Sequence, residues 1–253
     1  MSAAADVAEI RRAIALLAEP GAVLEPRTPK ASRHHTVSGH FSDPAKIAQA
    51  AAQWSSQAPG IYITLNPVNP ALLARAENKA KPHAETTTQD QDILRHYWML
   101  VDGDPVRPSG ISSTEEEHAG AIARVREMRA WLTRQGWPLP ILADSGNGGH
   151  MLYPIDMPND DESRNLIKSI LKALADRLDD KKVKLDTSVF NTVRITKLYG
   201  TVANKGDHTP MTPWRLSRIG TAPPREAAVT IDQLRALVPV KPVRRQPAEL
   251  GAP

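Results

Sequence analysis

The chain has 253 residues, of which 41% are hydrophobic and 24% charged, with a net charge of +4, and this composition is typical of a folded globular protein. It contains no cysteine, which excludes disulfide bonds, thiolate nucleophiles, iron–sulfur clusters and cysteine-based zinc sites. No apolar run approaches the roughly 20 residues of a membrane-spanning helix, and the N-terminus has no basic region followed by an apolar block, so we expect a cytoplasmic protein without a membrane partner.

Five helices are predicted from capping signals that precede apolar residues at helical spacing. In each signal a short polar side chain stands where it would accept hydrogen bonds from the first free backbone N–H groups, with a glutamate, a glutamine or a proline in a supporting position. In chain order the signals are Asp6 with Glu9, Asp43 with Pro44, Ser113 with Glu116, Asn159 with Glu162, and Thr230 with Gln233. Glycine at position 136 is expected to end the third helix.

Strand-like runs lie between the helices, at residues 23–27, 61–65, 96–101, 140–143, 150–153 and 193–199. Because helices and strands alternate irregularly, we predict a mixed α/β or α+β architecture in which two packed subdomains share a cleft. The apolar period is lost near residue 238, where the sequence becomes rich in proline and arginine. We therefore predict one domain over residues 1–237 and a linker or disordered tail over residues 238–253.

The first candidate site motif is an apolar strand that runs into two carboxylates, Asp102 and Asp104. Side chains two residues apart on a strand point to the same face, so this pair could gather one or two divalent ions of the magnesium class. Gly103 between them would allow close approach of backbone or ligand. The alternative is a simple turn, because Asp-Gly-Asp-Pro also suits local hydrogen bonding.

The second motif is a turn of small residues, DSGNGGH at positions 144–150. Its three glycines would let the backbone approach a ligand, and Ser145, Asn147 and His150 supply polar groups that suit an anionic oxygen. It is not a P-loop, because no Gly-Lys-Ser/Thr follows. The alternative is a glycine-rich hairpin with a hydrogen-bonded histidine.

The third motif lies in the segment that holds the positive charge of the chain. Residues 1–180 carry 19 Lys and Arg against 23 Asp and Glu, whereas residues 181–225 carry 9 against 2. A local excess of this kind usually faces phosphate, since arginine and lysine displace condensed counterions from a polyanion. Asp186 is an isolated acid among these cations. The alternatives are a solvated basic face and a salt-bridged aspartate.

Taken together, the three motifs resemble the archaeo-eukaryotic primase superfamily, and most closely its primase-polymerase (PrimPol) branch of plasmids, phages and mobile elements. In that family a strand-borne Asp-x-Asp/Glu is followed by a Ser-Gly-x-Gly-x-His turn. A carboxylate after an apolar residue comes next, followed by an arginine and by Gly-Thr with a nearby lysine. The matching residues are Asp102 and Asp104, Ser145 to His150, Leu185-Asp186, Arg194, Gly200-Thr201 and Lys205. The resemblance spans roughly residues 20–220.

The resemblance implies an α+β catalytic core of two packed subdomains around a central cleft, the second of them RRM-like. It implies DNA-template-directed nucleotidyl transfer by two-metal phosphoryl transfer, with Asp102, Asp104 and Asp186 as catalytic ligands of two Mg²⁺ or Mn²⁺ ions. The implied nucleotide-binding residues are Ser145, Gly146, Asn147, His150, Arg194, Lys197, Thr201 and Lys205. We assign Arg215 and Arg218 to DNA binding, as contacts with the nucleotide or with the template backbone. The implied partners are a single-stranded DNA template, a primer, NTPs or dNTPs, and a helicase domain or protein.

Two other functions would use the same residues. A metal-dependent nuclease or phosphodiesterase would direct the carboxylates onto a water nucleophile, but it would not need the histidine turn and the distal cations. An inactive replication-initiator module would bind DNA with a degenerate pocket, although the presence of all three acids argues against that. No zinc site is expected at His34, His35 and His40, because their spacing is too loose.

Overall fold

The structure is a computed structural model of the chain, and it describes residues 4–31, 35–55, 57–224 and 228–238. Almost all of the predicted tail, the last residue of the basic segment, Arg225, and His34 lie outside these described residues. Within them, no helix is both long enough and apolar enough to cross a membrane.

Helices and strands alternate irregularly along the described chain. The helices are α1 Val7–Leu17, α2 Pro44–Trp54, α3 Glu115–Arg134, α4 Asp161–Leu178 and α5 Ile231–Ala236. The strands are β1 Pro26–Ala31, β2 His35–Ser38, β3 Tyr62–Thr64, β4 His96–Pro105, β5 Ile141–Asp144, β6 Gly149–Met157, β7 Val183–Leu185, β8 Ile195–Lys197, β9 Val202–Ala203, β10 Arg215–Leu216 and β11 Arg218–Thr221. Short 3-10 helices cover Pro70–Arg75 and Asp90–Asp92.

Two antiparallel sheets organise the fold, and β9 pairs separately with β10. The first sheet has the order β2-β1-β3-β8, and the second has the order β11-β5-β6-β4-β7. The chain from β4 to β7 runs β-α-β-β-α-β with spatial order β5-β6-β4-β7, which is the split βαβ arrangement of ferredoxin-like and RRM domains. The mixed α+β fold class and the RRM-like second subdomain are therefore confirmed.

Helix α1 joins the cores of the two subdomains. Its Ile10 and Ile14 pack in the core of the first sheet, whereas Ala13 and Leu17 belong to the larger core formed by the second sheet with α3 and α4. Strand β8 lies in sequence between β7 and β11 of the second sheet but completes the first sheet. Helix α1 and strand β8 therefore connect the two subdomains, and a cleft lies between their sheets.

The predicted helices form, but in two of them the cap lies one residue later than predicted. Asp6, Asp43 and Thr230 cap their helices as expected. Helix α3 is instead capped by Thr114 in a box with Glu117, and α4 by Asp160, whose carboxylate accepts a hydrogen bond from Ser163 N. Tertiary contacts explain both shifts, because the two predicted caps bond elsewhere. The Ser113 hydroxyl donates to Asn147 Oδ1 and accepts from Arg215 Nη1, and the Asn159 side chain donates to the carbonyls of Asp90 and Ile93.

Five of the six strand predictions were right in place and wrong in their bounds, whereas the run 23–27 shares only its last two residues with β1. Strand β4 runs to Pro105, so both aspartates lie within a strand and the turn alternative is wrong. The cause is pairing on both sides, because Gly103 lies opposite Gly149 on β6 and Leu185 on β7. Only Ile195–Lys197 of the last predicted run forms a strand, and β2, β7, β9, β10 and β11 were not predicted.

Candidate active site

A cleft of about 550 Å³ lies between the two sheets. The first sheet contributes Lys30, Tyr62 and Lys197 to its lining, and the second contributes Asp102 and His150. Nine of the thirteen predicted site residues line it: Asp102, Asp104, Ser145, Asn147, His150, Asp186, Arg194, Lys197 and Lys205. Gly146, Thr201, Arg215 and Arg218 are not among the lining residues.

The two aspartates of β4 face the cleft because helix α3 covers the other side of the strand. A Cβ atom at Gly103 would lie 2.6 Å from Val125 Cγ2 of α3, so only hydrogen fits on that side. Side chains alternate along a strand, and Asp102 and Asp104 therefore share the opposite face. The predicted same-face pair is formed, on a strand that is paired on both sides.

The two carboxylates differ in their electrostatic surroundings. Burial raises the pKa of Asp104, and the charge of Asp102 raises it further, while Arg107, whose Nη1 lies 3.7 Å from Asp104 Oδ1, lowers it. Burial also acts to raise the pKa of Asp102, but the charges of His150, Lys205 and Arg194 outweigh it and hold that pKa below its usual range. Two acids at one site thus have different proton affinities.

His150 lies directly opposite Asp102 in the register of β4 and β6. Its Nε2 is 3.2 Å from Asp102 Oδ1, but that oxygen is buried and has no well-aligned hydrogen-bond partner among the described residues. The other ring nitrogen, Nδ1, is 2.8 Å from the hydroxyl of Tyr199, which is fully buried. Burial acts to lower the pKa of His150, but the nearby carboxylates, Asp102 first, raise it above its usual value.

The turn before His150 packs against the carboxylate strand. A Cβ atom at Gly148 would lie 2.3 Å from Gly103 O and 2.7 Å from Asp104 Oδ1. The Ser145 hydroxyl bonds within the turn, accepting from Gly148 N at 3.0 Å. The side-chain oxygen of Asn147 accepts from the backbone N–H of Ser113 at 2.9 Å. Ser145 and Asn147 therefore hold the shape of the turn, whatever further contacts they make with a ligand.

Asp186 reaches the same cleft through a backbone contact. Its N–H donates to Asp102 O at 2.9 Å, and its carboxylate accepts from Ser188 N at 2.8 Å. The guanidinium of Arg194 donates to Ser188 O at 2.6 Å and to the Ser188 hydroxyl at 2.9 Å. In the described part of the chain, however, no three His, Asp or Glu side chains converge into a ready-made metal-binding group. The three-carboxylate metal set stays a prediction.

The two predicted lysines occupy different positions. Lys197 is buried, its Nζ donates to Val202 O at 2.8 Å, and burial, with the nearby charge of Lys205, lowers its pKa to about 7. Lys205 lines the cleft, and its charge lowers the pKa of both β4 aspartates. Both lysines line the cleft, and Lys205 lies near enough to the two carboxylates to affect their pKa values.

Three predicted residues are held outside the cleft by other contacts. Thr201 is fully buried, and its hydroxyl donates to Leu198 O at 2.6 Å. Gly146 has a φ of +91°, and a Cβ there would lie 2.7 Å from the Cβ of Ala203. The Arg215 guanidinium is largely buried and donates to Ser113 O and to a Glu115 carboxylate oxygen, each at 2.9 Å. A DNA contact by Arg215 would have to break these bonds.

Arg218 stands at the edge of the second sheet. It is exposed at the start of β11, opposite Asp144 of β5. Because this side chain is exposed and does not line the cleft, its predicted contact with DNA would form outside the cleft. That contact stays a prediction.

Several cleft residues carry no motif and were missed. Tyr62 lies on a predicted strand, and its pKa is raised by burial and by the charges of Asp102 and Asp104. Lys30 has a left-handed φ of +58° beside an irregularity in the pairing of β1 with β2, a backbone feature that its sequence does not signal. Tyr199 does not line the cleft, and its contact with His150 was missed because it depends on burial that the sequence does not show.

Neither a protein-family model nor a curated protein matches this sequence. Among solved structures, the crystal structure of primase RepB′ is similar, with 14% identity and a TM-score of 0.50, over 91% of this chain and 61% of that chain. The catalytic domain of primase RepB′ in complex with initiator DNA aligns with 14% identity and a TM-score of 0.47, over 90% of this chain and 93% of that chain. This chain thus spans less than two thirds of the first of these structures. At this identity the likeness shows the fold alone, a mixed α+β fold that matches that of the RepB′ primase.

Proposed function

We propose that this chain is a primase-polymerase, a DNA-template-directed nucleotidyltransferase that makes or extends primers. The observation that carries the proposal is the composition of one cleft. Asp102 and Asp104 share a face of β4, Asp186 is bonded to the same strand, and cationic side chains lie beside them. The likeness in fold to a primase supports the proposal as an analogy.

Asp102, Asp104 and Asp186 would hold two Mg²⁺ or Mn²⁺ ions. Carboxylate oxygens are the donors that these hard cations prefer. The buried Oδ1 of Asp102 is an acceptor without a well-aligned partner among the described residues, which suits a ligand that the protein itself does not supply. When bound, two such ions supply activation of the attacking hydroxyl and charge neutralisation on the transferring phosphate.

The groups around the carboxylates would bind and orient the incoming nucleotide. The raised pKa of His150 favours its charged form, which binds phosphate oxygens. Arg194 and Lys205 add fixed positive charge where negative charge spreads over a transferring phosphoryl group. Lys197, with a pKa of about 7, would gain its proton beside a triphosphate, because a nearby anion stabilises the ammonium form.

The test is nucleotide incorporation on single-stranded DNA, with NTPs or dNTPs, with Mg²⁺ or Mn²⁺, and with or without a primer. Asp102→Asn and Asp104→Asn should each lower the rate at least about a hundredfold, since loss of an essential ligand costs several kcal/mol of barrier. Asp176→Asn, an exposed change on α4 outside the cleft, should keep the wild-type rate.

Single-stranded DNA binding should survive in the two cleft variants, because template affinity comes from cations rather than carboxylates. A cleft variant that keeps more than about a hundredth of the wild-type rate would contradict the assignment. Shortening of the labelled strand in place of extension would indicate the nuclease alternative. DNA binding without incorporation under any condition would indicate an inactive initiator module.

A further inference from the structure

A second cavity lies in the first subdomain, apart from the cleft. It has a volume of about 250 Å³ and is bordered by residues 38–40 after β2, by Arg75 at the end of a 3-10 helix, and by the loop 81–86. None of its lining residues lines the cleft. It is wide enough for a phosphate group and contains no part of the proposed catalytic machinery.

His40 is a buried polar residue of this cavity. Only 2% of the residue is exposed, and Nε2 lies 3.2 Å from the hydroxyl of Thr88. Nδ1 is also buried and has no hydrogen-bond partner among the described residues. A buried polar nitrogen without a partner is costly, so such a group usually marks the place of a bound water or ligand.

The ring of His40 can present a proton donor at that nitrogen. Burial lowers the pKa of His40 and the charge of Arg75 adds to the effect, against the opposing charge of Glu25, so the ring is neutral at pH 7. When the Thr88 hydroxyl donates to Nε2, the single proton of the neutral ring is on Nδ1. A bound phosphate whose unprotonated oxygens face Nδ1 selects this form of the ring, because those oxygens accept hydrogen bonds.

The rim of the cavity is cationic. Arg75 and Lys81 are both exposed at its border, and Lys81 Nζ donates to the backbone carbonyl of Arg75 at 2.6 Å, which holds the Lys81 ammonium at this border. Glu85 is the acidic residue of the lining. The nearby buried carboxylate of Glu25 is paired with Arg27 at 2.6 Å, so its charge is compensated. The cavity therefore combines two fixed cations with a buried, unpaired nitrogen.

We propose that this cavity binds a phosphate group, with Nδ1–H of His40 as its buried donor and Arg75 and Lys81 as its cationic rim. The phosphate comes either from a nucleic-acid strand or from free inorganic phosphate, and both present the same oxygens to these donors. Because the cavity shares no residue with the cleft, the proposal stands or falls separately from the proposed catalytic function.

The experiment measures thermal unfolding in increasing sodium phosphate against sodium chloride of equal ionic strength, because a ligand that binds only the folded state raises its unfolding temperature. We expect saturable stabilisation of the wild type. Arg75→Gln should weaken the apparent affinity by about tenfold or more, because it removes a charge-assisted bond. The control, Lys46→Gln, changes an exposed cation of α2 outside the cavity and should stay within about twofold of wild type.

Two further variants keep the result decisive. Lys81→Gln, at an exposed position, should also weaken phosphate binding. Lys205→Gln, in the cleft, should leave the part of this stabilisation that depends on Arg75 unchanged. Repeating the phosphate titration in the presence of saturating single-stranded DNA that lacks terminal phosphates separates the two sources. If the DNA abolishes the Arg75-dependent rise in unfolding temperature caused by phosphate, a nucleic-acid strand occupies the cavity. If that rise persists, the cavity binds free phosphate. The proposal is overturned if phosphate acts no differently from chloride, if Arg75→Gln and Lys81→Gln bind as wild type does, or if only Lys205→Gln weakens binding.

Discussion

Replacing Gly148 by alanine tests whether the turn and the carboxylate strand form one packed unit. The added Cβ would lie 2.3 Å from Gly103 O, 2.7 Å from Asp104 Oδ1 and 3.2 Å from Asp104 Cα. Relief of the shortest contact requires a displacement of about 1 Å. The obstacle is the backbone of β4, which is paired on both sides, so it does not move as a flexible side chain would. Overpacking of this kind costs about 1–3 kcal/mol of stability.

Gly148 is well suited to this test because its backbone φ lies outside the left-handed region, unlike that of Gly146. The effect of alanine at position 148 is therefore steric rather than conformational. Gly120 is the matched control, since it lies on α3 and no atom of another element comes within 4 Å of the place that an added methyl group would take. Gly120→Ala should stabilise the protein by about 0.5–1 kcal/mol, because alanine is the better helix former.

The assay is urea unfolding followed by tryptophan fluorescence, together with nucleotide incorporation well below the unfolding transition. Gly148→Ala should lose stability, and its folded form should also lose activity, because the turn can avoid the collision only by moving away from Asp104. A variant with wild-type stability and wild-type incorporation would refute the packing of the turn on β4. Lost stability with full activity would show that the turn takes no part in the reaction.

The remaining predictions concern DNA binding, acid sensitivity and the orientation of the site histidine. Arg218→Ala should lower the slope of log binding constant against log salt concentration for single-stranded DNA by about 0.7, the share of one phosphate contact. Arg215→Ala should leave this slope unchanged and should lower the stability of the protein, because the internal hydrogen bonds of Arg215 are lost. Equal slopes for both variants and the wild type would contradict the Arg218 contact. Burial holds the pKa of His96 at about 4 against 6.5 for a free imidazole, so the unfolded chain takes up the proton first and stability should fall by about 3 kcal/mol as pH drops from 6.5 to 4. Urea unfolding at several pH values checks this, and the same pH dependence in His96→Gln would contradict it. Tyr199→Phe removes the hydroxyl beside Nδ1 of His150 and should slow incorporation while leaving DNA affinity unchanged, so a wild-type rate would show that this contact does not orient the ring.

Local signals in the sequence were sufficient to predict the helices and the first site motif. Asp6 and Asp43 cap their helices through bonds to N–H groups no more than three residues away, so their neighbours in sequence decide the outcome. The two-residue spacing of Asp102 and Asp104 places them on one face of any strand that contains them. The fold class followed from the order of such elements.

Contacts between residues that are distant in sequence decided the features that local sequence patterns could not predict. The choice between strand and turn at Asp102 depended on pairing of Gly103 with β6 and β7. Arg215 looked like a DNA contact, but its guanidinium bonds to Ser113, 102 residues away, and Thr201 is fully buried and does not line the cleft. Burial and register arise when separate elements pack, and neither is a property of neighbouring residues. The cavity around His40 is formed in the same way, from three segments that no local pattern connects.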